Sequence, residues 1–163
     1  MKNAELDHAI ALRSEGNLEA SKALLLELVA LCPRDATVNY QCAWTHDAMG
    51  LEHGAAPFYE QAICCGLAGE ELEGALLGLG STYRCIGEYE KAEATLHRGM
   101  MEFPANYAMR VFLAMALHNL GKHDEAMEYL LNCIADTSLS PHVTRFRRAI
   151  RFYSDKLGFI SGT

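Results

Sequence analysis

Apolar residues recur at intervals of three and four along most of the chain, the spacing that places them on one face of a helix. Four glycines each follow a helix-length stretch that contains no proline, namely Gly16, Gly50, Gly87 and Gly121. Successive glycines are 34, 37 and 34 residues apart. Because a glycine just past a helix end adopts a left-handed backbone conformation at little cost, the pattern predicts four helical hairpins that turn at these residues.

Each predicted hairpin has a small residue and a large apolar residue in its second helix. They stand five and nine positions after the glycine: Ser21 and Leu25, Ala55 and Tyr59, Ala92 and Leu96, and Ala126 and Leu130. The small side chain lets the two helices approach closely, and the large one fills the gap one turn later. One hairpin cannot bury its apolar surface alone, so we expect the hairpins to stack in sequence.

The third hairpin carries the fullest motif. It reads Leu76-x-x-Leu79-Gly80-x-x-Tyr83, then Ala92-x-x-x-Leu96, then Pro104. These residues resemble the tetratricopeptide repeat, whose pattern over 34 residues is W-x₂-L-G-x₂-Y…A-x₃-F…P, with leucine here in place of tryptophan and phenylalanine. The resemblance covers residues 2 to about 138, and the chain looks like a small stand-alone repeat protein of bacterial type.

The resemblance implies an all-α fold, a right-handed superhelix of about four helical hairpins with a C-terminal capping helix. We expect a single repeat domain over residues 1–163. Its hairpins are expected at approximately 2–34, 36–68, 72–105 and 107–138.

The tail has the features of a cap. Ser140 suits an N-cap, and Pro141 suits the first position of a helix. Apolar residues then follow at spacings of three or four, namely Val143, Phe146, Ile150, Tyr153 and Leu157. This pattern predicts one amphipathic helix over 140–157, whose apolar stripe covers the last hairpin.

A second row of residues on the first helix of each hairpin points to a binding surface. In the repeat family this row lines the concave side, so the resemblance implies a groove that carries Tyr40, Trp44, Leu77, Arg84, Phe112 and Met115. Aromatic and arginine side chains dominate interface energies because they bury much area and keep a polar end. Two interpretations stay open. The row forms a groove for a helix or an extended peptide of another protein, or its aromatics fill contacts between successive first helices.

Charge narrows the classes of partner. The chain has 14 Lys and Arg residues against 21 Asp and Glu residues, a net charge of −7, so we expect no nucleic acid partner. The tail differs, with four arginines at Arg145, Arg147, Arg148 and Arg151. This secondary basic patch is interpreted either as a docking site for an acidic segment or nucleic acid backbone, or as the solvated face of the cap.

The ends and the cysteines suggest a cytoplasmic protein. The N-terminal residues include early acids and lack the apolar core of a secretory signal, and no stretch is apolar for long enough to span a membrane. We therefore expect no membrane partner. The six cysteines include no C-x-x-C pair and are interpreted as reduced. The adjacent Cys64 and Cys65 are the exception, as a candidate redox-sensitive or soft-metal site.

No pattern of residues suggests catalysis. The metalloprotease, nucleophile-elbow and phosphate-loop motifs are absent, and no nucleophile, base and orienting residue occur in a recognisable set. We expect no catalytic residues, no cofactor and no metal. The sequence favours a non-catalytic scaffold that binds a peptide or helix of another protein. The alternatives are a self-assembling protein, in which Phe152 and Phe159 pair two copies, and a regulator that uses Cys64 and Cys65.

Overall fold

The computed structural model describes residues 2–160, and this part of the chain contains helices and no strand. The helices are α1 (Lys2–Ser14), α2 (Leu18–Leu31), α3 (Ala36–Ala48), α4 (Glu52–Cys64), α5 (Gly69–Cys85), α6 (Tyr89–Glu102), α7 (Tyr107–Asn119), α8 (His123–Thr137), α9 (Pro141–Thr144) and α10 (Arg147–Tyr153). The expectation of an all-α chain is confirmed for the residues described.

The helices form two compact units. The first unit extends to Glu88 and contains α1 to α5, and the second begins at Tyr89 and contains α6 to α10. In the first unit each helix packs against the next one, and α3 also packs against both α1 and α5. In the second unit α7 packs against α6 and α8, while α9 and α10 pack against α8.

Glycine ends the helices at the predicted turns. Gly16 has a φ of +83° and Gly50 a φ of +69°, and in the described residues only glycines have positive φ. After α1, the N–H of Asn17 donates to the carbonyl of Leu12 at 2.8 Å, and the N–H of Gly16 donates to the carbonyl of Arg13 at 3.0 Å. These two bonds form the Schellman motif, which satisfies the last carbonyls of a helix.

The small residues predicted at the helix crossings are buried. Ser21, Ala55 and Ala92 have no exposed surface, and Ser21 also donates a hydrogen bond of 2.8 Å to the carbonyl of Ala9. The large residues that follow are buried as well, except for Leu130, which is only half-buried. A core cluster of the first unit joins α1, α2 and α3 through Leu6, Ala9, Leu25, Leu28, Val38 and Cys42.

Two glycines bring α5 close to the tyrosines of α3 and α4. An ideal Cβ on Gly74 would lie 2.2 Å from the hydroxyl oxygen of Tyr40. A Cβ on Gly78 would lie 2.4 Å from the hydroxyl oxygen of Tyr59. Because real Cβ atoms do not come this close, a side chain at either place would require α5 or the tyrosine ring to shift.

The tail differs from the single helix expected over 140–157. It forms the short helices α9 and α10, and Phe146 between them has φ −104° and ψ 9°. The N–H of Phe146 donates to the carbonyl of Val143, only three residues back, which tightens the turn and redirects the chain. Phe146 and Tyr153 of the predicted buried stripe are consequently exposed, whereas Ser154 is buried, and α10 still packs against α8.

Replacing Gly74 by alanine is expected to lower the free energy of unfolding by about 1–3 kcal/mol. The cause is the contact with the Tyr40 hydroxyl, which outweighs the ~1 kcal/mol that alanine gains over glycine inside a helix. Tyr40→Phe removes this oxygen and leaves Cζ, 3.2 Å from the new Cβ, as the nearest atom. Gly74→Ala should therefore cost less in the Tyr40→Phe background. Urea denaturation of all four proteins measures both costs, and equal costs would contradict the proposed contact.

Candidate functional site

Arg13 and Trp44 form the most distinctive exposed pair of the first unit. The guanidinium carbon of Arg13, on α1, lies 4.0 Å from the centroid of the Trp44 ring, on α3. At this distance the positive charge and the electron-rich ring face attract each other. Trp44 keeps 46% of its surface exposed, which is large for a tryptophan that already has a stacked neighbour. We call this pair, with the surface around it, the Arg13–Trp44 face.

Hydrogen bonds that Arg13 donates to acceptors on α3 fix its orientation. Its Nη1 donates to the carbonyl of Gln41 and to Oγ1 of Thr45, both at 3.2 Å. Its Nη2 donates to Oε1 of Gln41 at 2.6 Å. Gln41 and Thr45 are buried, so the acceptors are held in place by the packing of α3. Burial lowers the pKa of Arg13 from its ordinary value, although an arginine remains charged in this setting.

Tyr40 stands next to this pair but faces the helix packing. Its ring centroid lies 5.9 Å from that of Trp44 and 6.2 Å from that of Tyr59. Only 8% of Tyr40 is exposed, and its hydroxyl meets α5 at Gly74. Tyr40 therefore occupies the contact between first helices, while Trp44, one turn later on α3, remains open to solvent.

The other predicted groove residues are distributed over both units. Leu77 and Arg84 are half-buried on α5, in the first unit. The Nε of Arg84 is buried without a hydrogen-bond partner. Phe112 is half-buried and Met115 is 42% exposed, both on α7 of the second unit. Within the first unit the structure brings together Tyr40 and Trp44, and it adds Arg13, which the predicted set omits.

The position of Arg13 within its repeat could have identified it as a candidate groove residue. Arg13 precedes its turn glycine, Gly16, by three residues, as Arg84 precedes Gly87. Equivalent positions in successive repeats occupy equivalent places on their helices. The selection of Arg84 therefore also points to Arg13.

A half-buried carboxylate connects three helices of the first unit. Oδ2 of Asp47, on α3, accepts a hydrogen bond of 2.9 Å from the Tyr59 hydroxyl. Its Oδ1 accepts one of 2.8 Å from the hydroxyl of Thr82, on α5. The pKa of Asp47 is raised from its ordinary value, with burial as the largest cause, although these two hydrogen bonds oppose the rise. The network fixes the relative positions of α3, α4 and α5 at the cost of a partly desolvated charge.

The predicted basic patch is only partly available to a partner. Arg151 forms an ion pair with Asp136 of α8, and this contact is the main cause that holds the pKa of Asp136 below its ordinary range. Arg147 is half-buried, and its Nε has no hydrogen-bond partner. Arg145 and Arg148 are exposed. Two of the four arginines are thus exposed and outside the ion pair with Asp136.

The structure describes no group of ligands around the cysteines or histidines. All six cysteines are free; Cys64 is exposed, and Cys65 accepts a hydrogen bond of 3.1 Å from Gln61. His118 and His123 bring their Nδ1 atoms within 3.1 Å of each other at the Gly121 turn. Between residues 2 and 160, no cluster of three or more His, Cys, Asp or Glu side chains is arranged to hold a metal ion.

In the same range no helix has the length and apolar character needed to cross a membrane.

The model of the tetratrico peptide repeat family matches residues 36–157. The chain belongs to the tetratricopeptide repeat family. The match covers about three-quarters of the sequence and includes all six predicted groove residues. The family resemblance predicted from the hairpin motifs is confirmed. No curated protein sequence matches this tetratricopeptide repeat protein significantly.

Several solved structures share the fold. MamA has a TM-score of 0.74 at 18% identity, over 85% of this chain and 78% of MamA. YrrB, a TPR protein with an unusual peptide-binding site, has a TM-score of 0.73 at 18% identity, over 93% and 77% of the two chains. PilF of Pseudomonas aeruginosa has a TM-score of 0.69 at 17% identity, over 93% and 68%. At these identities the likeness shows the all-helical repeat fold alone.

Substitution of Asp47 by asparagine is expected to remove a pH-dependent loss of stability. The pKa of Asp47 is higher in the folded chain than its ordinary value of 3.8, so the folded state holds the proton more tightly than the unfolded state. The free energy of unfolding should therefore fall as the pH rises from 3.8 through the raised value. Asp47→Asn should lose this contribution, because its side chain does not ionise.

Urea denaturation at a series of pH values between about 4 and 8 compares the two proteins, with the pH dependence of all other groups common to both. Asp7→Asn replaces an exposed carboxyl on α1 and serves as the control. A wild type that gains stability over Asp47→Asn with rising pH would contradict the assignment.

Proposed function

We propose that this tetratricopeptide repeat protein is a non-catalytic scaffold that holds a segment of another protein in a concave, partly aromatic groove on its first helices. The observation that carries the proposal is the exposed Trp44 of α3, which lies beneath the guanidinium of Arg13 of α1. The family and the fold support the broader role of a protein-interaction scaffold. The segment is a helix or an extended peptide.

The proposed contact residues are those of the predicted groove together with Arg13. Trp44 and Leu77 provide apolar area, Arg84 provides a charge, and Tyr40 supports Trp44 from within the packing. Phe112 and Met115 are proposed contacts on α7. A tryptophan at the centre of an interface contributes about 2 kcal/mol or more to binding, so we expect Trp44 to dominate.

The proposal includes a setting for this activity. We propose a cytoplasmic, bacterial protein whose partner is a protein and not a nucleic acid or a membrane. The net charge of −7 supports this choice, because phosphate groups repel an acidic surface.

The double substitution Trp44→Ala/Arg84→Glu is expected to abolish capture of the partner without unfolding the chain. The test is a pull-down from lysate of the native source, read by mass spectrometry, with the wild type in parallel. Met101→Ala, which truncates an exposed apolar side chain on α6, is the matched control and should capture the same protein as the wild type. Equal capture by the wild type and the double variant would refute the placement of the interface.

Self-association is a second candidate function, and exposed aromatics in the tail favour it. Phe152 and Phe159 are 56% and 58% exposed, and both rings lie close to that of Tyr153. Residues 140–163 carry five Lys and Arg side chains and one Asp, whereas the rest of the chain carries nine basic and twenty acidic residues. The basic, aromatic tail of one copy is thus complementary in charge to the acidic remainder of another.

If the tail pairs two copies, light scattering should show a mass that rises above 18.0 kDa with increasing protein concentration. Phe152→Ser/Phe159→Ser should keep the mass of the monomer at every concentration, because the two exposed rings supply the apolar contact. Leu139→Ser, at a residue that is 94% exposed next to the tail, is the control and should behave as the wild type does. A wild type that stays monomeric at all concentrations would exclude this function.

A further inference from the structure

We propose that the Arg13–Trp44 face recognises an acidic side chain that stands close to a large apolar side chain in the partner segment. The inference rests on the proposed function and specifies the chemistry of the partner. Arg13 binds the carboxylate, and the open part of the Trp44 ring binds the apolar side chain.

The charge of Arg13 has no opposite charge beside it. Its three hydrogen bonds go to a backbone carbonyl, a side-chain amide oxygen and a hydroxyl, all of which are neutral. Among the residues that the structure describes, no Asp or Glu forms an ion pair with Arg13. The acceptors on α3 thus hold the guanidinium in position without compensating its charge, and a carboxylate of a partner would compensate it.

Arg13 also keeps donors for such a carboxylate. A guanidinium has five N–H groups, and the bonds to Gln41 and Thr45 use three of them. The Nε–H and one N–H of Nη2 have no protein partner within residues 2–160. Two donors on one planar group suit the two oxygens of a carboxylate, which accept from arginine in a bidentate pair.

The stacking of Arg13 on Trp44 explains why the partner segment should also carry an apolar side chain. The guanidinium carbon lies only 4.0 Å above the indole centroid, so a carboxylate on Arg13 brings the neighbouring residues of its segment onto the ring. In a strand, side chains two residues apart are on the same face, and in a helix those three or four apart are. We therefore expect the apolar residue within four positions of the acid, and an aromatic or a large aliphatic type fits an exposed indole.

The acidity of the chain limits the number of acids in the segment. With a net charge of −7, the protein repels a long acidic tract, whereas the local charge of Arg13 favours a single carboxylate beside it. Recognition of one or two acids beside an apolar residue agrees with both facts. A lysine in place of the acid would meet the uncompensated guanidinium and be rejected.

The test is a selection from a library of displayed random peptides against the full chain. The wild type should enrich peptides that carry Asp or Glu within four positions of Trp, Phe, Leu or Met. Arg13→Gln should lose the preference for the acid and keep the apolar one, and Arg13→Glu should enrich Lys or Arg at the same place. Circular dichroism shows whether each variant is folded, and Arg13→Lys, which keeps the charge without the planar fork, should retain part of the preference.

A selected synthetic peptide then allows a quantitative test. Replacing its Glu by Gln, or its Asp by Asn, should weaken binding to the wild type about tenfold, the size expected for one charge-assisted pair. The same replacement should leave binding to Arg13→Gln unchanged, because the two partners form one interaction.

The outcomes separate the inference from the proposed function. Enrichment of apolar peptides without an acid, or equal losses with wild type and Arg13→Gln, would overturn the inference and leave the scaffold function standing. Failure of the folded wild type to enrich any peptide, or enrichment that Trp44→Ala does not reduce, would overturn the proposed function and the inference together.

Discussion

The close contact between α3 and α5 determines where the exposed side chains of the first unit stand. Gly74 and Gly78 let α5 approach until it touches the hydroxyls of Tyr40 and Tyr59. A methyl group at either glycine would force the helices apart or displace a buried ring, and both changes are costly in a close-packed interior. Trp44 follows Tyr40 by one helical turn and shares its face of α3, yet 46% of Trp44 is exposed whereas only 8% of Tyr40 is.

Much of this architecture could be predicted because it depends on local chemistry. The turn glycines are readable from sequence, since only glycine adopts the left-handed conformation cheaply, and the small residues at the crossings follow at a fixed distance. The family resemblance was evident for the same reason. The register of the repeat also assigns Trp44 to the second row of the first helices, where it is 46% exposed, and its role as a contact residue stays a prediction.

The remaining features depend on contacts between elements that are distant in sequence. The proposed binding role of Arg13 depends on its position over α3, where Gln41 and Thr45 accept its hydrogen bonds. No local sequence pattern reveals that these hydrogen-bond partners are neutral. The prediction of a single helix in the tail was wrong for a different reason. Its apolar spacing fits a continuous helix, but the backbone at Phe146 leaves the helical conformation and exposes the predicted stripe. Periodicity predicts which residues share a face only while the helix continues.

The bonds of Arg13 have a consequence for the stability of the first hairpin. Arg13 fastens α1 to α3 of the next repeat through three hydrogen bonds, and its charge is compensated only when an anion arrives. A bound segment would then stabilise the contact between α1 and α3 for as long as it stays bound. By thermodynamic linkage, a segment that binds Arg13 only while α1 lies against α3 would raise the free energy needed to separate these two helices.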